Sequence, residues 1–258
     1  MGLLLNLAAV PLAPWLLIQG RRTRRDTPVL PPAGGPSIGI ARAANASDAP
    51  PHRLIAIGES TVAGVGVGDL RDALGGQFAL ALSARRNQPI LWQAYGWSGA
   101  TVAAAHANLR AEFAQTHQQQ AQDEPPERFS TALIVFGVND AIALTSPARY
   151  AAELAALIET LRRERAVRDF VLVAAPPMER FPALPRPLRD YLGLRTRALN
   201  RAARKLASTN VQFIDLALQA DPTLFARDGF HPNAAGYAAW GASLAQHLRL
   251  PHNDGLTP

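Results

Sequence analysis

From residue 52 onward, short apolar runs alternate with stretches of helical periodicity, and that alternation leaves few folds open. The runs are Leu54-Ile55-Ala56-Ile57, Ile90-Leu91-Trp92, Leu133-Ile134-Val135-Phe136, Phe170-Val171-Leu172-Val173 and Val211-Gln212-Phe213-Ile214. Each is too short for a helix, and most are apolar at consecutive positions, as parallel strands buried on both faces are. Helical periodicity marks Arg71 to Arg86, where Leu74, Phe78 and Leu82 recur four apart. It also marks Thr101 to His117, Pro147 to Arg165, Arg189 to Ser208 and Asn233 to Leu248. Pro147 stands where the first turn of a helix accepts a proline. Five strands alternating with helices predict one α/β domain over residues 52–250, a three-layer α/β/α sandwich around a five-stranded parallel sheet. Residues 251–258 read as a C-terminal tail.

The first 51 residues follow another pattern. Leu3 to Ile18 is apolar except for Asn6, is broken by Pro11 and Pro14, and is followed by Arg21, Arg22, Arg24 and Arg25. A secretory signal puts positive charge before its apolar stretch, whereas here the charge comes after. The stretch also falls short of the roughly 20 apolar residues of a membrane span. The leading reading is a helix lying on the protein or on a membrane face. The others are a short anchor with its Arg-rich end on the cytoplasmic side, and an unusual signal. Residues 26–51 carry Pro28, Pro31, Pro32, Gly34, Gly35, Pro36, Pro50 and Pro51 and read as a linker. Residues 1–25 are thus expected to serve location or packing, including peripheral membrane association. The expected compartment is the cytoplasm, at the inner membrane, with periplasmic export as the alternative.

Composition removes several function classes. At 48% apolar and 18% charged residues the chain can fill a core and is not a disordered tail. It has no cysteine, which excludes disulfides, iron–sulfur clusters, thiolate zinc sites and cysteine nucleophiles. The net charge of +6 divides evenly: five Arg against Asp26 and Asp48 in residues 1–50, and 21 basic against 18 acidic residues thereafter. The body is therefore near neutral, with no basic face interleaved with aromatic platforms, so no nucleic-acid partner is expected. Abundant Arg and Ala fit a GC-rich bacterial genome. Oligomeric state leaves no signature in the sequence.

In such a sheet, ligands sit beyond the carboxyl ends of the strands, so the residues after each strand are the candidates. After the first comes Gly58-Glu59-Ser60-Thr61, where a serine on a sharp strand-to-helix turn is exposed next to backbone N–H groups. Ser60 could equally cap a helix. After the second comes Gly96-Trp97-Ser98-Gly99-Ala100-Thr101, either an ordinary turn or a close backbone approach to a ligand. After the third comes Gly137-Val138-Asn139-Asp140, where the Asn139 amide could face an oxyanion or close an Asx-turn. Before the last helix lies Asp228-Gly229-Phe230-His231-Pro232-Asn233. The following proline holds His231 out of the helix interior, and Asp228 is close enough in a tight loop to orient its ring. No second His or carboxylate stands at ligand spacing, so no metal is expected there. The glycines at 64, 66 and 68 lack the G-x-G-x-x-G spacing of a dinucleotide-binding turn.

Taken together, these four segments resemble the SGNH (GDSL-type) hydrolases, a family of esterases, lipases and lysophospholipases, over about residues 52–250. The blocks Gly58-Glu59-Ser60, Ser98-Gly99, Gly137-Val138-Asn139-Asp140 and Asp228-Gly229-Phe230-His231-Pro232 occur in the family's order. The resemblance implies a flavodoxin-like strand order 2-1-3-4-5. It implies a serine esterase working through an acyl-enzyme, without cofactor or metal, on a small-molecule acyl or acetyl ester. Ser60 would be the nucleophile, His231 the base and Asp228 its orienter. The N–H groups of Ser60 and Gly99 and the side chain of Asn139 would form the oxyanion hole. An acyltransferase on the same site, or a non-catalytic lipid- or carbohydrate-binding protein, are the alternatives. The sequence departs from the family at Glu59, where Asp is usual, so the hydrogen bonds of that turn must differ. The loop 176–190, with Met178, Phe181 and Leu184, follows the fourth strand and could offer apolar surface to an acyl chain. Arg180, Arg186 and Arg189 beside it would tolerate an anionic group.

Overall fold

The computed structural model describes residues 10–119, 127–216 and 221–250; the expected tail at 251–258 lies outside them. The strands are β1 (Ile38–Ala41), β2 (His52–Gly58), β3 (Ile90–Gly96), β4 (Thr131–Val135), β5 (Asp169–Val173) and β6 (Val211–Ile214). They form one sheet in the order β1-β3-β2-β4-β5-β6. Strands β2 to β6 are the five apolar runs, parallel to one another and in the expected order.

The sixth strand corrects the expected count of five. β1 pairs antiparallel with the edge of β3, with Ile38 opposite Gln93 and Ala41 opposite Ile90. It lies in the stretch read as a linker, where the surrounding prolines and glycines outweigh four residues of weak alternation. That stretch is also stitched to the body further upstream. The Ala33 N–H donates to the Ala63 carbonyl at 2.9 Å, and the Leu70 N–H donates to the Gly34 carbonyl at 3.0 Å. Residues 33–41 therefore belong to the sandwich rather than tethering something to it.

The helices are α1 (Ala13–Asp26), α2 (Leu74–Arg86), α3 (Val102–Gln119), α4 (Val138–Ile142), α5 (Pro147–Arg165), α6 (Leu188–Arg204) and α7 (Ala234–His247). Helices α3, α5 and α6 cover one face of the sheet, burying Leu109, Phe113, Leu157, Leu161 and Leu199 against Ile55, Ile134 and Leu172. Helices α2 and α7 cover the other, burying Phe78, Leu82, Tyr237, Trp240 and Leu244 against Leu54, Leu133 and Val171. Each such side chain contributes about 1.5–3 kcal/mol when removed from water. Local chemistry sets the ends. The Ser146 hydroxyl accepts from the Arg149 N–H at 3.2 Å to start α5, with Pro147 in the first turn. The Asn233 side chain caps α7 by accepting from the Gly236 N–H at 3.0 Å.

Candidate active site

The carboxyl ends of β2, β3, β4 and β5 meet at one edge of the sheet, and the four sequence blocks gather there. Strand β2 ends at Gly58, and Glu59 and Ser60 open an irregular turn. In that turn the Ala63 N–H donates to the Glu59 carbonyl and the Val65 N–H to the Ser60 carbonyl, both at 3.0 Å. The buried Tyr237 of α7 anchors it from below, its hydroxyl donating to the Val65 carbonyl at 2.7 Å. Losing that bond in Tyr237→Phe is expected to lower stability by about 1 kcal/mol, readable as a shift in urea midpoint at constant m.

Beyond β3, the Trp97 N–H donates to the Gly58 carbonyl at 3.1 Å, which sets the Gly99 turn beside the Ser60 turn. Gly99 has φ of +81°, a conformation that a side chain would strain. Among the described residues neither the Ser60 N–H nor the Gly99 N–H meets a protein acceptor, and the Ser60 hydroxyl makes no hydrogen bond.

The Glu59 side chain turns inward rather than toward solvent. Its Oε1 accepts the Val138 N–H at 3.1 Å; its Oε2 accepts the Asn139 N–H at 3.0 Å and the Asn139 side-chain amide at 2.5 Å. Gly137, the residue before α4, has no side chain to cap the helix, so the Glu59 carboxylate does so from another strand. The Asn139 amide has two N–H groups, and the bond to Glu59 uses one of them. Burial pushes the Glu59 carboxyl up to about 7, against the pull of its N–H donors. Asp140, the next residue, accepts the Val102 N–H at 2.9 Å and so joins this turn to the start of α3.

The fourth block is the most fully bonded. The His231 Nδ1 lies 2.6 Å from Asp228 Oδ2. A carboxylate only accepts, so Nδ1 carries the proton and Nε2 is left as the basic nitrogen. Asp228 Oδ1 accepts the N–H groups of Phe230 and His231, each at 3.0 Å. Burial alone would raise the Asp228 carboxyl, but the imidazole and the two N–H donors outweigh it and hold it below the usual range. The other nearby acids are engaged elsewhere: Asp215 pairs with Arg204 at 2.6 Å and Asp221 caps Thr223. Asn233 also donates to the carbonyls of Thr223 and Phe225, fixing the loop that carries the histidine.

Ser60 and His231 share the wall of a cavity of about 320 Å³, although no direct hydrogen bond joins them. Apart from this polar end the wall is apolar, built by Phe181, Leu224, Phe225, Phe230 and Trp240. Gly99 and Asn139 are not among the residues that line it. Of the 176–190 loop, Pro176 and Phe181 reach the cavity, while Met178 and Leu184 are buried in the core. Arg180 lines a separate polar cleft; Arg186 and Arg189 line neither. Sequence reasoning missed the part played by α7, because Trp240 repeats at core spacing and gives no sign that it also faces a cavity. Among the described residues no cluster of three His, Asp or Glu stands ready to hold a metal.

Comparison with known proteins places this geometry. The model of the GDSL-like lipase/acylhydrolase family matches residues 56–239. The comparison with curated proteins returns no match. Among solved structures, a lipase, Lip_vut3, from a goat rumen metagenome superposes with a TM-score of 0.59 at 16% identity, covering 76% of this chain and 96% of that one. An inhibitor-bound aryl esterase of M. smegmatis gives 0.55 at 19% identity, covering 76% and 97%. The carbohydrate acetylesterase Est24 of Sinorhizobium meliloti gives 0.55 at 16% identity, with the same coverage. At these identities the likeness is one of fold, and it is the family match over most of the chain that carries the assignment. The chain is an ester-hydrolysing enzyme that belongs to the GDSL-like lipase/acylhydrolase family.

Proposed function

We propose that the protein is a serine esterase that cleaves carboxylic esters through an acyl-enzyme at Ser60. The observation that carries this reading is His231, oriented by Asp228 and protonated at Nδ1, on the same cavity wall as an unbonded serine hydroxyl. His231 Nε2 takes the Ser60 proton as the oxygen attacks the ester carbonyl carbon. The oxyanion that forms is held by the N–H groups of Ser60 and Gly99 and by the second N–H of the Asn139 amide. Collapse breaks the bond to the alcohol oxygen, which leaves with the proton from His231. Water then repeats the sequence on the acyl-enzyme and releases the acid.

The test is covalent. A fluorophosphonate should add to one residue, Ser60, with the mass shift on its tryptic peptide, and Ser60→Ala should abolish both labelling and hydrolysis. Labelling that persists in Ser60→Ala would place the nucleophile elsewhere.

The apolar wall supports reading the cavity as the acyl-chain side rather than the alcohol side. Each methylene taken from water contributes about 0.8 kcal/mol, which is roughly fourfold in kcat/KM when the contact persists in the transition state. Across p-nitrophenyl esters, kcat/KM is expected to climb from acetyl over several methylenes and to drop once the cavity is full. A maximum at acetyl would instead assign the cavity to the alcohol side.

A further inference from the structure

Helix α1 has two unlike surfaces, and the ester site uses neither. Its inward stripe is Leu16, Gln19, Gly20, Thr23 and then Thr27, spaced three or four apart, all buried or half-buried. Leu16 enters the core with Leu184, Leu188 and Leu192. Gln19 brackets the chain it rests on, donating to the Arg186 carbonyl at 2.6 Å and accepting the Leu188 N–H at 3.1 Å. The helix is thus seated at a defined angle on the segment that also supplies Phe181 to the cavity wall.

Its outward surface is segregated along the axis. The N-terminal part presents Leu12, Trp15, Leu17 and Ile18, with Trp15 at 55% and Leu17 at 62% exposure. The C-terminal part presents Arg21, Arg22, Arg24 and Arg25; Arg25 pairs directly with Asp26, whose carboxylate also attracts Arg22. At 1.5 Å per residue, Trp15 and Arg22 stand about 10 Å apart along the axis. That matches the 5–10 Å to which apolar side chains sink below lipid headgroups, with tryptophan favoured at the boundary.

We propose that α1 docks the enzyme on an anionic lipid surface, its apolar end in the acyl boundary and its arginines among the lipid phosphates. Charge decides the occupant. A second copy packed parallel on this surface would bring two sets of four arginines together, and one packed antiparallel on the apolar end would offer the arginines no anionic partner, whereas anionic headgroups neutralise them. No helix among the described residues is long and apolar enough to cross a membrane.

The experiment is co-sedimentation of the full-length chain with vesicles, which reads no activity and stands apart from the ester chemistry. Wild type should pellet with phosphatidylcholine vesicles containing phosphatidylglycerol and stay in solution with phosphatidylcholine alone, the difference shrinking at high salt. Replacing the four arginines by Gln should weaken partitioning roughly tenfold or more. The triple variant Trp15→Ser, Leu17→Ser, Ile18→Ser should lose it at low salt as well. All these side chains face outward, so melting temperatures should stay at the wild-type value. Wild type itself gives a second reading: brominated phosphatidylcholine mixed into anionic vesicles should quench tryptophan emission, and the quenching should fall in Trp15→Phe. No pelleting, equal pelleting with both vesicle types, or pelleting unchanged in both variants would overturn the proposal. So would a dimer in light scattering that the triple variant converts to monomer, since a second copy would then own the surface.

Discussion

Asp228→Asn is expected to lower kcat by about a thousandfold to ten-thousandfold while leaving KM close to its starting value. The size follows from hydrogen-bond direction. Asp228 Oδ1 accepts two backbone N–H groups, so the single oxygen of an asparagine stays there and its amide nitrogen faces His231. That amide donates to Nδ1 and drives the ring proton to Nε2, the nitrogen that accepts from Ser60 in the proposed mechanism. The imidazole keeps its place and loses its function. Asp228 is buried and is not part of the cavity wall, so substrate binding should hardly change. Ser60→Ala and His231→Ala should fall further, about a millionfold, and the double variant no further still, because in the proposed mechanism the residues act as one unit. Steady-state kinetics on one chromogenic ester checks all of these. A loss below about tenfold for Asp228→Asn would mean that another group orients the histidine.

What could be read from the sequence was what depends on neighbours in the chain. Strands β2 to β6 are legible because a strand buried on both faces must be apolar at consecutive positions, and their order followed from the family resemblance. The pairing of Asp228 with His231 is legible because three residues in a tight loop cannot place them far apart. β1 was not legible: its four residues are held by one neighbouring edge, and nothing in Ile38-Gly39-Ile40-Ala41 outweighs the prolines around it. α4 was hidden for a different reason. A helix of five residues behind a glycine has too few internal hydrogen bonds to announce itself, and its cap comes from Glu59, 79 residues away. The cavity is nonlocal in the same way. The loop after the fourth strand contributes Phe181, yet much of the wall comes from residues 224–240, whose spacing says only that α7 packs on the sheet.

Glu59 is the residue whose role the sequence could not supply, and its replacement should alter both activity and the pH dependence of stability. In an unfolded chain its carboxyl titrates near 4.5, and in the fold burial raises it to about 7. Below about pH 4.5 both states hold the proton and the shift contributes nothing. Between the two values the folded protein keeps a proton that the unfolded chain has released, so stability falls as pH rises. Above about 7 the full difference applies, about 3 kcal/mol at 1.36 kcal/mol per pH unit. Urea denaturation should therefore show wild type losing up to about 3 kcal/mol more than Glu59→Gln between pH 5 and pH 8. The slope is the readout, since the variant also carries a constant penalty. Glutamine has one acceptor where three N–H groups need acceptors, which leaves at least one of them facing a donor at a cost of about 1–3 kcal/mol. Activity should move the opposite way. The ionised Glu59 pins the Asn139 amide with one N–H used and one left over; in the Gln variant that grip is lost, and kcat should drop by about tenfold to a hundredfold, toward the cost of removing one oxyanion donor. Asn139→Ala sets that limit, about a hundredfold to a thousandfold. If Glu59→Gln kept full activity and the wild-type pH slope, the buried carboxylate would have no part in holding the oxyanion donor. With both effects present, a buried carboxylate held only by N–H donors lowers stability above neutral pH and in return fixes the donor proposed to hold the reacting oxygen.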